Sequence, residues 1–197
     1  TIVAGCGIHN CGVQNSQHYG IHTFHVGKNA RVRYVERHYG EGDGSGENIM
    51  NPTTVVELDE GSYMEMETTQ IKGVDSTVRV TRATLGPDAT LIIHEKVMTH
   101  GKQHAKSDFT VDLNGAGCHT NVISRSVARG QSHQVFMARI NGNAPCYGHS
   151  ECDAIIMDQG VVAAIPEVTA NCVDASLVHE AAIGKIAGEQ LIKLMTL

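Results

Sequence analysis

Ala89-Thr-Leu-Ile-Ile-His94, Asp108-Phe-Thr-Val-Asp-Leu113 and Thr120-Asn-Val-Ile-Ser124, with corners at Gly101 and Gly115 between them, set the pattern for the chain. Each run is short and rich in β-branched residues, and apolar positions alternate with polar ones. That is the period-2 signature of a half-buried strand. The same texture extends in both directions, through Ala30–Val35, Thr53–Leu58, Ser76–Thr81, Gln134–Ile140 and Cys152–Met157. Further corners fall at Gly61, Gly73, Gly86, Gly130, Gly142 and Gly160, at intervals that are regular without being strict.

Composition agrees. The 197 residues include 20 Val, 15 Ile and 15 Thr against 8 Leu, with 21 Gly, 3 Phe, 5 Tyr and no Trp. Such a chain builds strands joined by tight turns, and its core must be filled by small branched side chains. A helical bundle is excluded. Two architectures fit: an antiparallel sandwich or barrel, and a parallel β-solenoid whose coils stack on one another. Scarce rings and few Asn-Gly hairpin turns, at Asn114-Gly115 and Asn141-Gly142 alone, favour the solenoid.

Charge and hydropathy narrow the function. The net charge of −6 argues against nucleic acid as a partner, and no apolar run is long enough for a membrane-spanning helix. The chain opens at Thr1 with no leader-like segment, which reads as the ordered core of a longer protein. Six cysteines without a secretory signal read as reduced thiols in a cytoplasmic protein. Cys6-Gly-Ile-His-Asn-Cys11 has the look of a metal knuckle but lacks a second pair at zinc-finger spacing. The Gly40–Glu47 loop lacks the Lys-Ser/Thr ending of a phosphate-binding loop. His18, His22 and His25 stand at helical spacing, although Tyr19-Gly20 and Phe24 break a helix there. Near the carboxyl end, Ile186, Leu191, Leu194 and Met195 mark a short amphipathic helix over residues 187–197, after a core of residues 1–186.

The carboxyl-terminal third carries specific motifs. Glu151-Cys-Asp-Ala-Ile-Ile-Met157, Ile165-Pro-Glu-Val168, Ala175-Ser-Leu-Val-His-Glu-Ala-Ala-Ile-Gly-Lys-Ile186 and Gly188-Glu-Gln-Leu191 together resemble the SufB/SufD family of iron–sulfur cluster assembly scaffolds. Val122–Gly130, Val35-Glu-Arg-His38 and Gly27–Val32 resemble its earlier coils, so the likeness spans nearly the whole chain. The resemblance implies a right-handed parallel β-helix that pairs with a second subunit near its carboxyl-terminal end. It also implies a SufC-like ABC ATPase partner bound through the helical segment, a sulfur donor system based on a cysteine desulfurase, and a transient iron–sulfur cluster at the subunit interface. The chain itself would be a non-ATPase scaffold.

The chain also departs from the family pattern. Where the family has a cluster-forming cysteine before a proline, this chain reads Asp158-Gln-Gly-Val-Val-Ala-Ala-Ile165, and where a second family cysteine falls it has His38. These departures suggest a short, archaeal-type scaffold acting as a homodimer. Cys172, in the turn Ala170-Asn-Cys-Val-Asp174, is the expected replacement, with His179 and Glu180 completing the ligand set from both subunits. Period-2 alternation sends His179 and Glu180 to opposite faces unless a bulge intervenes. Weaker candidates are Cys152, with His149 three residues before it, Cys118 beside His119, and His38. Two other classes remain in contention: a metal-free structural β-solenoid and a β-helix carbohydrate-active enzyme.

Overall fold

Apolar and polar side chains alternate along the chain, interrupted again and again by turn-forming residues, and each strand so formed pairs in parallel with the strand one coil away. The computed structural model describes residues 1–185. They form β1 (Ile2–His9), β2 (Ser16–His18), β3 (Ile21–Val26), β4 (Arg31–Glu41), β5 (Asn48–Met50), β6 (Thr53–Leu58), β7 (Tyr63–Gln70) and β8 (Ser76–Leu85). β9 (Thr90–Thr99), β10 (His104–Leu113), β11 (His119–Ala128), β12 (His133–Gly142), β13 (Cys146–Ile156), β14 (Val161–Ala170) and β15 (Ala175–Lys185) follow.

All pairings are parallel. One sheet runs β1-β4-β7-β9-β11-β13-β15, and the opposing sheet runs β14-β12-β10-β8 before it splits into β5-β2 and β6-β3. The fold is therefore a parallel β-solenoid of about six coils, two strands to a coil, as the composition favours. His119 pairs with Thr90 on one side and with Tyr147 on the other, and each of those steps is one full coil. The expected carboxyl-terminal helix and the 186/187 boundary lie outside the described residues.

The interior is narrow. Leu91, Ile93, Leu85, Leu113, Val111 and Ile140 are fully buried between the sheets. In-register pairing stacks like on like: Ala83, Val111, Ile140 and Val168 form one column. Each Leu or Ile so buried contributes about 1.5–3 kcal/mol. Phe109 packs on Phe136 with centroids 5.8 Å apart.

At one corner of the coil, Asn29, Gly61, Asp88 and Gly117 stand at successive turns in the left-handed backbone region, with φ of 59°, 66°, 54° and 73°. Only Gly, Asn and Asp adopt that conformation readily. At Gly117 a Cβ would also meet the Asp88 Oδ1 at 2.2 Å.

The histidines at 18, 22 and 25 do not share a helical face. They lie in β2 and β3, where His22 reaches Tyr34 with its Nδ1 2.7 Å from the hydroxyl, while His25 pairs with exposed Glu57 at 2.7 Å. Gly20 separates the two strands, and strand periodicity sends residues three apart to opposite faces.

Candidate functional site

Cys172, His179 and Glu180 all fall on the last described coil. Cys172 sits half-buried in the turn between β14 and β15. That turn is held by a ladder of asparagines, with the Asn171 side chain donating to Asn143 and Asn143 to Asn114, each at 2.7 Å. In β15, His179 pairs with buried Ser150, and Glu180 pairs with outward-facing Glu151. The two point to opposite faces, as the alternation requires, and no bulge interrupts the register. His179 lies about 13 Å along the strand from Ala175, at ~3.3 Å per residue. Within one chain, then, Cys172 and His179 sit at different places along the coil.

Glu180 does have a neighbour. Its Oε1 is 3.7 Å from His149 Nε2, and His149 Nδ1 lies 2.9 Å from Asn121 Oδ1. The Asn121 amide and the Glu180 carboxylate thus flank the two ring nitrogens of His149. The Nε2 is buried and has no hydrogen-bond partner. An imidazole oriented by a second hydrogen bond and facing a carboxylate is the arrangement that metal-ligating histidines adopt. Beside it, the Glu151 carboxyl is raised above its ordinary value, chiefly by its hydrogen bond to Asp153, then by desolvation.

The corner at Cys172 holds a feature that the sequence shows only in pieces. Cys118 precedes β11 and Cys146 opens β13, one coil apart, and both are buried. Burial pushes the Cys118 thiol to about 11, and the neighbouring Cys146 adds to the rise. Cys146 is raised by burial and, further, by Cys172. Cys118 and Cys146 thus stack on successive coils, and Cys172 lies near Cys146 in the next turn at the same corner. Each is separated from the next by close to one coil of sequence, a signal available once the period is known. Cys152, by contrast, points into the core, where burial and the charge of Glu95 push it up to about 11. It is inert packing in this conformation.

His38, expected only as a weak candidate, lies in the most concentrated polar site of the molecule. Cys6 pairs with His38 across β1 and β4. Ligand atoms of Cys6, Glu36 and His38 lie within 4.8 Å of one another, the one such trio among the described residues. Cys11, the other half of the apparent knuckle, is exposed and instead lies 3.1 Å from His9 Nε2. From Glu36 a column of interior polar side chains runs up the sheet through Thr68, Glu95 and Ser124 to Cys152. Arg79, from the facing sheet, donates to Thr68 at 2.7 Å, to Glu95 at 3.2 Å and to His38 Nδ1 at 2.7 Å. Ser107 and Ser124 donate to the two Glu95 oxygens at 2.6 and 2.8 Å.

Comparison with known proteins bears on the whole chain. The family model for the SUF system FeS cluster assembly SufBD core domain matches residues 1–196. An iron–sulfur cluster assembly SufBD family protein of Methanocaldococcus jannaschii is 33% identical over 172 residues, covering 86% of this chain and 54% of that protein. SufBD family proteins of Archaeoglobus fulgidus and of Methanothermobacter thermautotrophicus are 31% identical over 197 residues and 25% identical over 200. The match covers 99% of this chain and 52% of the first, and 98% of this chain and 47% of the second. The chain spans about half the length of the curated relatives it matches.

Proposed function

The chain belongs to the SufBD core-domain family, and from that membership we propose that it is a non-ATPase scaffold on which an iron–sulfur cluster is assembled. The observation that carries this reading is the family match over residues 1–196. Two copies would pair through their last coils, with the nascent cluster as cargo between them. In support, among the described residues β14 and β15 each end a sheet, and there Val168 and Ile183, which continue interior positions of the preceding coil, are 42% and 39% exposed, an uncapped end that a second copy would cover.

A dimer also answers the separation of the site residues. Cys172 and His179 stand apart in one chain, but a two-fold axis supplies each of them twice. Thiolate from Cys172 would hold sulfide and iron, and imidazole from His179 would complete the iron shell. Glu180 would act with His149, because their 3.7 Å separation is one that an iron ion with ~2.0–2.2 Å bonds to nitrogen and oxygen can bridge. The SUF system implies further partners: an ABC-type ATPase of the SufC kind, and a sulfur donor system based on a cysteine desulfurase. Six free cysteines suit the reducing interior of a cell, so the reading places the protein in the cytoplasm. Among the described residues no helix is long and apolar enough to cross a membrane.

Anaerobic reconstitution with ferrous iron and sulfide tests the assignment. Wild type is expected to take up both and to develop iron–sulfur absorbance, and Cys172→Ala is expected to lose most of it. Equal loading of the two proteins removes Cys172 from the site, and loading of neither removes the scaffold role.

A further inference from the structure

A separate group of metal-ligating side chains lies at the opposite end of the solenoid. Glu36 is 1% exposed, and its Oε1 has no hydrogen-bond partner. His38 is equally enclosed, and its Nε2 is likewise unpartnered, although it lies 3.0 Å from Glu36 Oε1; the ring is turned so that no aligned hydrogen bond forms. Two buried polar atoms are therefore aimed into the same small space. The half-buried Cys6 thiol shares that space from the first strand, and His22 Nδ1 stands 3.1 Å from the same carboxylate oxygen. His22 is 27% exposed and forms the solvent side of the cluster.

The charges point the same way. Arg79 serves two groups at once: it pairs with Glu95 at 3.2 Å and donates to His38 Nδ1 at 2.7 Å, within range of Glu36. Glu36 and Glu95, two buried carboxyls, therefore share one buried guanidinium, an arrangement that a further cation would ease.

We propose that Cys6, Glu36 and His38, with His22 or water closing the fourth position, bind one divalent transition-metal ion of the zinc, ferrous or cobaltous class. A thiolate, an imidazole and a carboxylate select that class over calcium or magnesium. Tetrahedral bonds of ~2.0–2.3 Å set ligand atoms about 3.5 Å apart, so His38 Nε2 and Glu36 Oε1, 3.0 Å apart, spread slightly on loading while the Cys6 thiol adjusts to meet them. Binding releases the Cys6 thiol proton to solvent. It also moves the His38 ring proton from Nε2 to Nδ1, so Arg79 gives up its bond to Nδ1 and keeps Thr68 and Glu95. Five strand steps of ~4.8 Å separate β4 from β15, so this site lies about 24 Å from the last coil. The inference goes beyond the proposed function and stands without it.

The test uses the 197-residue chain, stripped with chelator and titrated anaerobically with cobalt(II) alone, with no sulfide from which a cluster could form. Wild type is expected to bind one Cys6-dependent cobalt per chain, with thiolate-to-cobalt charge-transfer absorption and tetrahedral ligand-field bands. Cys6→Ser, at the open first strand, is expected to abolish the charge-transfer band and weaken binding by roughly tenfold or more. Glu36→Gln is expected to weaken binding as strongly while keeping the thiolate band at saturating metal. A Cys172→Ser background removes any thiolate band from the last coil, and Cys11→Ser added to it is expected to leave the remaining titration unchanged. The proposal is overturned if that background shows no thiolate band, if its band survives Cys6→Ser, or if it follows Cys11 instead. Should Glu36→Gln fail to fold, the Cys6→Ser titration decides alone.

Discussion

Replacing Arg79 by methionine is expected to destabilise the protein by about 3 kcal/mol. The guanidinium is 4% exposed and is the only cation within reach of Glu95 among the described residues, with 3.2 Å between them. Breaking a buried pair from one side costs about 3–5 kcal/mol, because it strands the other charge. Here Glu95 keeps the Ser107 and Ser124 hydroxyls, which moves the expectation to the low end. Glu36 loses a nearby positive charge as well, which keeps the cost from falling further. Methionine preserves most of the volume, so cavity formation contributes little. Urea unfolding followed by far-UV circular dichroism reads the effect as a lower midpoint at unchanged slope. In a thermal scan a loss of this size lowers Tm by about 6–12 °C. The double variant Arg79→Met/Glu95→Gln removes both charges and is expected to recover at least about 1 kcal/mol relative to Arg79→Met alone. A single-variant loss under about 1 kcal/mol, or a double variant no more stable than the single, would refute the reasoning that this column is held by a paired buried charge.

The turns, the surface and the thiols each carry an expectation of their own. Gly117→Ala, at φ +73° with Asp88 in the way, is expected to cost about 1–2 kcal/mol, whereas Gly101→Asn, at φ +59° in open space, is expected to cost a few tenths; chemical denaturation compares them. Burial would raise the Asp108 carboxyl, but Arg82 at 3.0 Å and Arg139 at 2.9 Å together hold it below its ordinary 3.8. Its contribution is therefore complete above about pH 3.8 and lost as pH falls through the lower folded value, and Asp108→Asn is expected to cost about 1–2 kcal/mol at neutral pH and to flatten that acid limb of a Tm-against-pH curve. Alkylation at about pH 8 read by peptide mass spectrometry is expected to modify exposed Cys11 and half-buried Cys172 well before Cys118 and Cys152, whose thiols burial pushes to about 11.

The strands were legible from Ala89 to Met157 because period-2 alternation is a local property, visible without knowing which strand pairs with which. Coil length was not. Glycines mark both corners of a two-stranded coil, so their spacing conceals a true repeat twice as long. Asp88 and Asp158, in the left-handed conformation at corners where other coils use glycine, blur the count further. The same hidden period keeps Cys118 apart from Cys172 in the sequence, although they and Cys146 share one corner. Glu36, Arg79 and Glu95 could not have been grouped from sequence at all. They lie on different coils, and each looks like an ordinary surface charge until the strands turn it inward. His179 and Glu180 came from a family likeness, and strand alternation correctly assigned them to opposite faces.

Sedimentation velocity under anaerobic conditions, on wild-type chain reconstituted with iron and sulfide, with protein and iron–sulfur absorbance recorded in the same run, bears most directly on a scaffold that builds its cluster between two copies. The predicted result is iron–sulfur absorbance travelling with a dimer. Absorbance travelling with a monomer would contradict assembly at a subunit interface, and a dimer or monomer carrying none would contradict the scaffold role itself.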